Sequence, residues 1–338
     1  GFDRYWAARG KRAACASWFH VRLLRASGGG IPTPAAAEPS IRALRRDVDR
    51  LAEPDRTWTL LWLAGVDGGD VLVGEDELVA MLQGLGPDAV LALLERRIGS
   101  DDPDLQPRRM NDWPYHRMCL FTLRHAEELL RPGDADRLLA EELRLRDAER
   151  RDTNAPLFTA WWAIGAARLD PARPAEILHA AMERYAGLSL RNDQGEIAAA
   201  LWGLRGEEQR DWIVDWFHDT PPARARFPHD HAHFLRQVAN GGSADDNATR
   251  ALFAALVRDE RLADLDWQSL QVLAEVVNRW SDEPVVAPKE LHHAQHPLGQ
   301  AHLEWEWERA EAMYPRQTAS LRATLDSWRA SLRNWARP

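Results

Sequence analysis

Eight of the twelve histidines lie between residues 218 and 302, and that stretch is where chemistry is sought first. Neutral imidazole is the commonest protein ligand for zinc and its first-row neighbours, so dense histidine raises metal binding before anything else. His229 and His233 are four residues apart, as are His292 and His296, and on a helix each pair would share one face. The zinc-protease helix needs a Glu directly after the first His to serve as general base. Asp230 and His293 stand at those places, so that activity is excluded. The candidate metal ligands are His218, His229, His233, His292 and His296. Against them stands a plainer reading, in which histidines beside proline-rich turns cap helices or face water. Pro221, Pro222 and Pro228 put His218 and His229 in different helices, so these rings are not expected to converge on one ion.

His218-Asp219 and His229-Asp230 resemble the His-Asp dipeptide of HD-type metal-dependent phosphohydrolases, which are also all-helical. The resemblance implies a metal-dependent hydrolase using a His/Asp cluster within residues 218–302, and this is the alternative function. The upstream His and downstream Asp of that pattern are not identifiable, and Pro221-Pro222 make the first dipeptide a helix end. Two acidic clusters, Ser100-Asp101-Asp102-Pro103-Asp104 and Asn192-Asp193-Gln194-Gly195-Glu196, resemble the metal-binding pair of helical terpene cyclases. Both fall at expected turns between helices, where Asp and Asn ordinarily satisfy orphan backbone amides. Gly28-Gly29-Gly30 follows a helical stretch rather than a strand, so it is no phosphate loop. Cys119, within Met118-Cys119-Leu120-Phe121, reads as a small buried hydrophobe, and two cysteines make no disulfide framework. No catalytic residue and no cofactor is assigned.

The elements that would carry these residues are helices. From residue 37 onward, apolar residues recur at helical spacing in segments of 11–18, parted by short turns of Gly, Pro, Asp and Asn. Period-two alternation is confined to Val71-Leu72-Val73, too short for a strand. First helices of successive pairs are expected to start near residues 37, 75, 110, 153, 190, 228 and 264, a period of about 38. Second helices are expected over Ala135–Asp147, Ala175–Tyr185, Glu207–Phe217 and Ala248–Arg258. Trp-x-x-Gly recurs at Trp62-Leu63-Ala64-Gly65 and Trp162-Ala163-Ile164-Gly165, with Trp202-Gly203 a looser copy, so Trp62, Trp162 and Trp202 are expected in the core.

This pattern resembles HEAT-like and armadillo-like repeat proteins across residues 37–285, and it implies an all-α solenoid of stacked antiparallel helix pairs. A hairpin of two helices cannot bury both apolar faces alone, so it stacks on its neighbours and extends one core. The expected organisation is a basic amphipathic segment over residues 1–27, a linker over 28–36, the repeat domain over 37–285, and capping helices over 286–338. In the last of these, Leu321, Leu325, Trp328, Leu332 and Trp335 draw a narrow apolar stripe fit to close the final repeat.

Charge narrows the partners. The chain carries 43 basic and 52 acidic residues, a net −9. Residues 1–36 hold six basic residues and one acid, so the remainder sums to −14. An acidic body is a poor match for nucleic acid, whose phosphates demand a basic stripe. The segment 1–27 is the exception and would suit an anionic surface or the acidic body itself. No run of 18 apolar residues crosses a membrane, and a cytoplasmic setting is expected. Arginine so outnumbers lysine, of which only Lys11 and Lys289 occur, that a GC-rich bacterial genome is expected. The sixteen tryptophans suit helix-on-helix packing and interfaces alike. The function expected is therefore a non-enzymatic protein-binding helical scaffold, an immunity or sensor module, and a basic protein is the partner that an acidic body fits.

Overall fold

The computed structural model describes residues 34–64, 72–95, 113–149, 159–186, 193–219, 229–241, 247–265, 267–279, 281, 283–286 and 315–337. The basic segment 1–27 lies outside them. Every regular element among the described residues is helical, and no strand occurs among them. The chain divides into two compact units, Gly1–Arg173 and Pro174–Pro338.

The first unit holds α1 (Pro34–Val48), α2 (Asp55–Ala64), α3 (Glu75–Leu85), α4 (Pro87–Leu94), α5 (Trp113–Arg124), α6 (Ala126–Leu129), α7 (Ala135–Glu149) and α8 (Ala160–Leu169). Pro34 and Pro87 occupy the first turns of α1 and α4, where a missing N–H costs nothing. Glu75, Asp76 and Glu77 fill the first turn of α3 and complement its positive end. Between α3 and α4 the chain bends by 104° at Gly86. Gly86 has φ 86° and ψ 158°, a conformation open to glycine almost alone.

Each helix then buries the face its sequence offers. In α1 Ile41, Leu44 and Val48 are buried; in α3 Leu78, Val79 and Leu82; in α4 Val90, Leu91, Leu93 and Leu94. α2 packs on α5 and α3, α3 on α6, and α8 on α7, α6 and α5. α8 is buried on nearly every side, with Trp162 wholly enclosed and its Nε1 3.4 Å from the carbonyl of Leu94. Small residues permit this: a Cβ on Gly165 would come within 2.8 Å of Leu123 Cδ2.

The second unit holds α9 (Pro174–Tyr185), α10 (Asp193–Arg205), α11 (Arg210–Asp219), α12 (His229–Gly241), α13 (Asn247–Arg258), α14 (Trp267–Arg279) and α15 (Pro315–Trp335). α10 packs on α12 and α12 on α14, while α11 packs on α13. Alternate helices are thus neighbours in space, and α9 packs on the next helix, α10. The starts of α10, α12 and α14, at residues 193, 229 and 267, are separated by one expected period each. α15 lies on α14 and α13, burying Leu325, Trp328 and Leu332 of the stripe read from sequence. Arg258 donates to the carbonyl of Ala336 at 2.5 Å and Arg329 to that of Leu265 at 3.2 Å, tying α15 down from both sides.

Helices begin at 34, 75, 113, 193, 229 and 267, each within three residues of a start expected for a first helix, and at 135, 174, 210 and 247, within three of those expected for second helices. The helix expected near 153 begins at Ala160, and residues 150–158 lie outside the described ones. α1 starts inside the stretch expected as linker, because Pro34 at its first position is a helix opener. The turn into α11 is a 3-10 segment, Gly206–Gln209, entered through Gly206 at φ 54°. The break between the two units, at Arg173 and Pro174, falls inside the stretch 37–285 and between α8 and α9.

Candidate functional site

The candidate histidines of the second unit sit at the contacts of α10, α11, α12 and α13. The rings of His218 and His233 each meet a neighbour from another helix. His218 closes α11, and its Nε2 lies 3.0 Å from the carbonyl of Leu256 in α13. That carbonyl accepts only if Nε2 carries the proton. Burial pushes the His218 ring below the ordinary imidazole range, against an opposing pull from the Asp259 carboxylate. Asp259 is itself held down to about 2 by the Arg261 guanidinium, whose Nε and Nη2 donate to it at 2.9 and 2.7 Å.

His233 lies on α12 with Nε2 2.7 Å from Glu196 Oε1 of α10, both side chains mostly buried. Asp230, one turn earlier, accepts a hydrogen bond from the backbone N–H of Gly195 at 2.8 Å. Desolvation raises the Asp230 carboxyl above the usual carboxylate range, while the Gly195 and Gln194 amides pull it back. The two helices touch backbone to backbone here, since a Cβ on Gly195 would stand 2.3 Å from the carbonyl oxygen of Asp230. The acidic cluster Asn192–Glu196 therefore divides. Asp193 is buried in the first turn of α10, Gly195 is the point of closest approach, and Glu196 pairs across to α12.

His231, in the same stretch, was not among the candidates. His231 is 6% exposed, stands edge-on to Trp216 at 5.3 Å and tilts over Phe217 at 4.6 Å. Phe234 completes this aromatic cluster, 5.5 Å from Trp216. The i, i+4 pairing of His229 with His233 drew attention to one face of α12, whereas His231 points from the face that carries Phe234 and Leu235 into the core. Phe234 and Leu235, three and four residues on, were the available signal, since they share its helical face.

His218 and His233 are thus placed with different partners. The side chain of His229 lies outside the described residues, as do His292 and His296 and the acidic cluster Ser100–Asp104. Among the described residues no group of three or more His, Cys, Asp and Glu side chains is arranged to hold a metal ion. Cys119 is buried. Of the three tryptophans expected in the core, Trp162 and Trp202 are buried, and Trp202 Nε1 donates to Thr249 Oγ1 at 3.3 Å. Trp62 is partly buried at the edge of the first unit's core.

What the described surface offers is charge. Leu143 is the one large hydrophobic residue that is exposed among the described residues. Glu75, Asp76 and Glu77 lie exposed on α3, Asp88 on α4, and Glu127 and Glu128 on α6. No single described helix is long and apolar enough to cross a membrane. No protein family, no curated protein and no solved structure matches the chain.

Proposed function

We propose that the chain is a non-enzymatic protein-binding scaffold, an α-solenoid of HEAT-like helix pairs that presents its helices to a basic protein partner. The observation that carries this reading is the neighbour pattern of the second unit. α10, α12 and α14 pack in succession while α11 packs on α13, which is how stacked hairpins of one period meet. Stacking of that kind leaves one layer of helices along each side, and such layers serve as extended recognition surfaces. The charge supports a basic partner, for residues beyond 36 sum to −14. The described histidines of residues 218–302 favour a structural role, for His218, His231 and His233 each meet a neighbouring helix.

Two measurements on untagged protein test the proposal. Capture from extracts of the source organism should recover one basic protein in stoichiometric amount, bound more weakly as salt rises. Elemental analysis should find no stoichiometric zinc, manganese or iron. Stoichiometric metal together with turnover of phosphate esters would replace the scaffold by the hydrolase built on residues 218–302.

A further inference from the structure

His125 sits at the joint between α5 and α6, the residue on which one helix ends and the other begins. Its amide reaches back to the carbonyl of Phe121 at 3.2 Å, and its own carbonyl accepts from Glu128 and Leu129 at 3.0 and 3.1 Å. The backbone of the joint is thereby fixed, and the ring is left for a second task. Nδ1 lies 2.9 Å from Glu128 Oε1 of α6, and Nε2 lies 2.9 Å from Glu75 Oε1 in the first turn of α3. The imidazole is mostly buried, at 14% exposure, whereas the two carboxylates are 59% and 53% exposed. The ring of Phe121 covers one side at 4.8 Å. Among the described residues, Glu75 and Glu128 are the charged groups hydrogen-bonded to the ring. Gln83 of α3 reaches the backbone of Glu128 instead, at 3.3 Å, and neighbouring Arg124 is turned toward the ring of Trp161.

A neutral imidazole has one N–H donor and one lone pair. Only the doubly protonated ring donates to both carboxylates; in the neutral ring one nitrogen lone pair confronts a carboxylate oxygen at the same 2.9 Å. The carboxylates approach opposite nitrogens, so they do not converge as ligands would. From this geometry we propose that His125 is a proton-sensitive clasp: charged, it ties α3 to α6, and neutral, it lets Glu75 go. The Glu128 contact is the one that persists, because those residues are three apart across one helical start. The Glu75 contact spans 50 residues of chain and has solvent open to its carboxylate. The sign follows directly. The clasp is complete only while both ring nitrogens carry protons, so acid closes it. What it frees is Glu75 in the first turn of α3, while Glu77 of the same turn stays paired with Arg45 of α1.

The test is a double-mutant cycle on the full chain with His125→Gln, Glu75→Gln and the double variant, run at pH 5.5 and pH 8. Chemical denaturation reads the coupling between the two side chains, and the cycle cancels the other eleven histidines. The coupling should favour folding roughly 1.5- to 5-fold at pH 5.5, the factor a partly exposed ion pair commands, and vanish at pH 8. Hydrogen exchange of the Leu78 amide, which closes the first turn of α3 on Gly74, should lose protection by a similar factor between the two pH values in the native chain alone. Where His125→Gln does not fold, Glu128→Gln replaces it, and the Leu78 protection is then compared between Glu75→Gln and the native chain. Equal coupling at both pH values, or stronger coupling at pH 8, would overturn the clasp.

Discussion

Gly195 shows how much of this fold turns on one missing atom. Its backbone N–H donates to Asp230, and a Cβ there would stand 2.3 Å from a backbone carbonyl that has no room to yield. Gly195→Ala should therefore lower stability by about 1–3 kcal/mol, as overpacking of a close contact does. Gly203, on the same helix with open space around it, is the control, and Gly203→Ala should raise stability by about 0.5–1 kcal/mol. Chemical denaturation of the two variants checks both signs. Titrating residues make a second expectation at this scale. Asp259 is held at about 2 by Arg261, below its unfolded value of 3.8, so it contributes stability above pH 3.8 that is lost as pH falls toward 2. His218 is held below 6.5 by burial, so its contribution is intact above that pH and lost as pH falls beneath it. Asp230 works the other way, because a carboxyl raised by burial favours folding only in acid. Asp259→Asn should flatten the loss of stability between pH 4 and pH 2, and His218→Gln the loss that begins below about pH 6.5. Denaturation midpoints followed across pH would contradict these assignments if either variant kept the native slope.

Helices were the level most open to reading from the sequence. The apolar periods place α7, α9, α11 and α13 within a few residues of their expected bounds, whereas Pro34, expected in a linker, opens α1. The tryptophan echoes located Trp162 and Trp202 in the core because both lie on helix faces with small residues and leucines around them. Trp62 has the same spacing but lies at a cluster's edge, and spacing along one helix carries no information about which neighbour covers it. The same limit hid the histidine partners. Periodicity pairs residues within a helix, whereas His233 meets Glu196 across 37 residues and His125 meets Glu75 across 50. Two expectations follow for single elements. Trp162→Ala should cost about 3–5 kcal/mol in a denaturation experiment and Trp62→Ala less, since a wholly enclosed ring leaves the larger cavity. Gly86→Ala should cost about 1–3 kcal/mol, because no other residue accepts φ 86° with ψ 158° readily. Gly84→Ala, two residues before it in an open helical position, should leave stability equal or slightly higher.

For the whole molecule, the proposal joins two facts, alternate helices packing in succession and an acidic balance beyond residue 36. Neither needs a catalytic centre, and both would serve a chain whose task is to hold another protein. Interfaces of that kind are steered by charge, which sets the rate of encounter and its sensitivity to salt. The exposed carboxylates of the first unit, Glu75, Asp76 and Glu77 on α3 with Glu127 and Glu128 on α6, are the groups to change first. The most direct measurement is a calorimetric titration of the purified chain with the basic protein recovered from its source, at about 50 and 200 mM salt, a range over which charge steering is progressively screened. The expected result is a saturable one-to-one complex whose affinity falls with salt and falls again when Glu75, Asp76 and Glu77 become glutamine. A chain that binds no protein at either ionic strength, or one that releases product from a phosphate ester with metal bound, would contradict the scaffold.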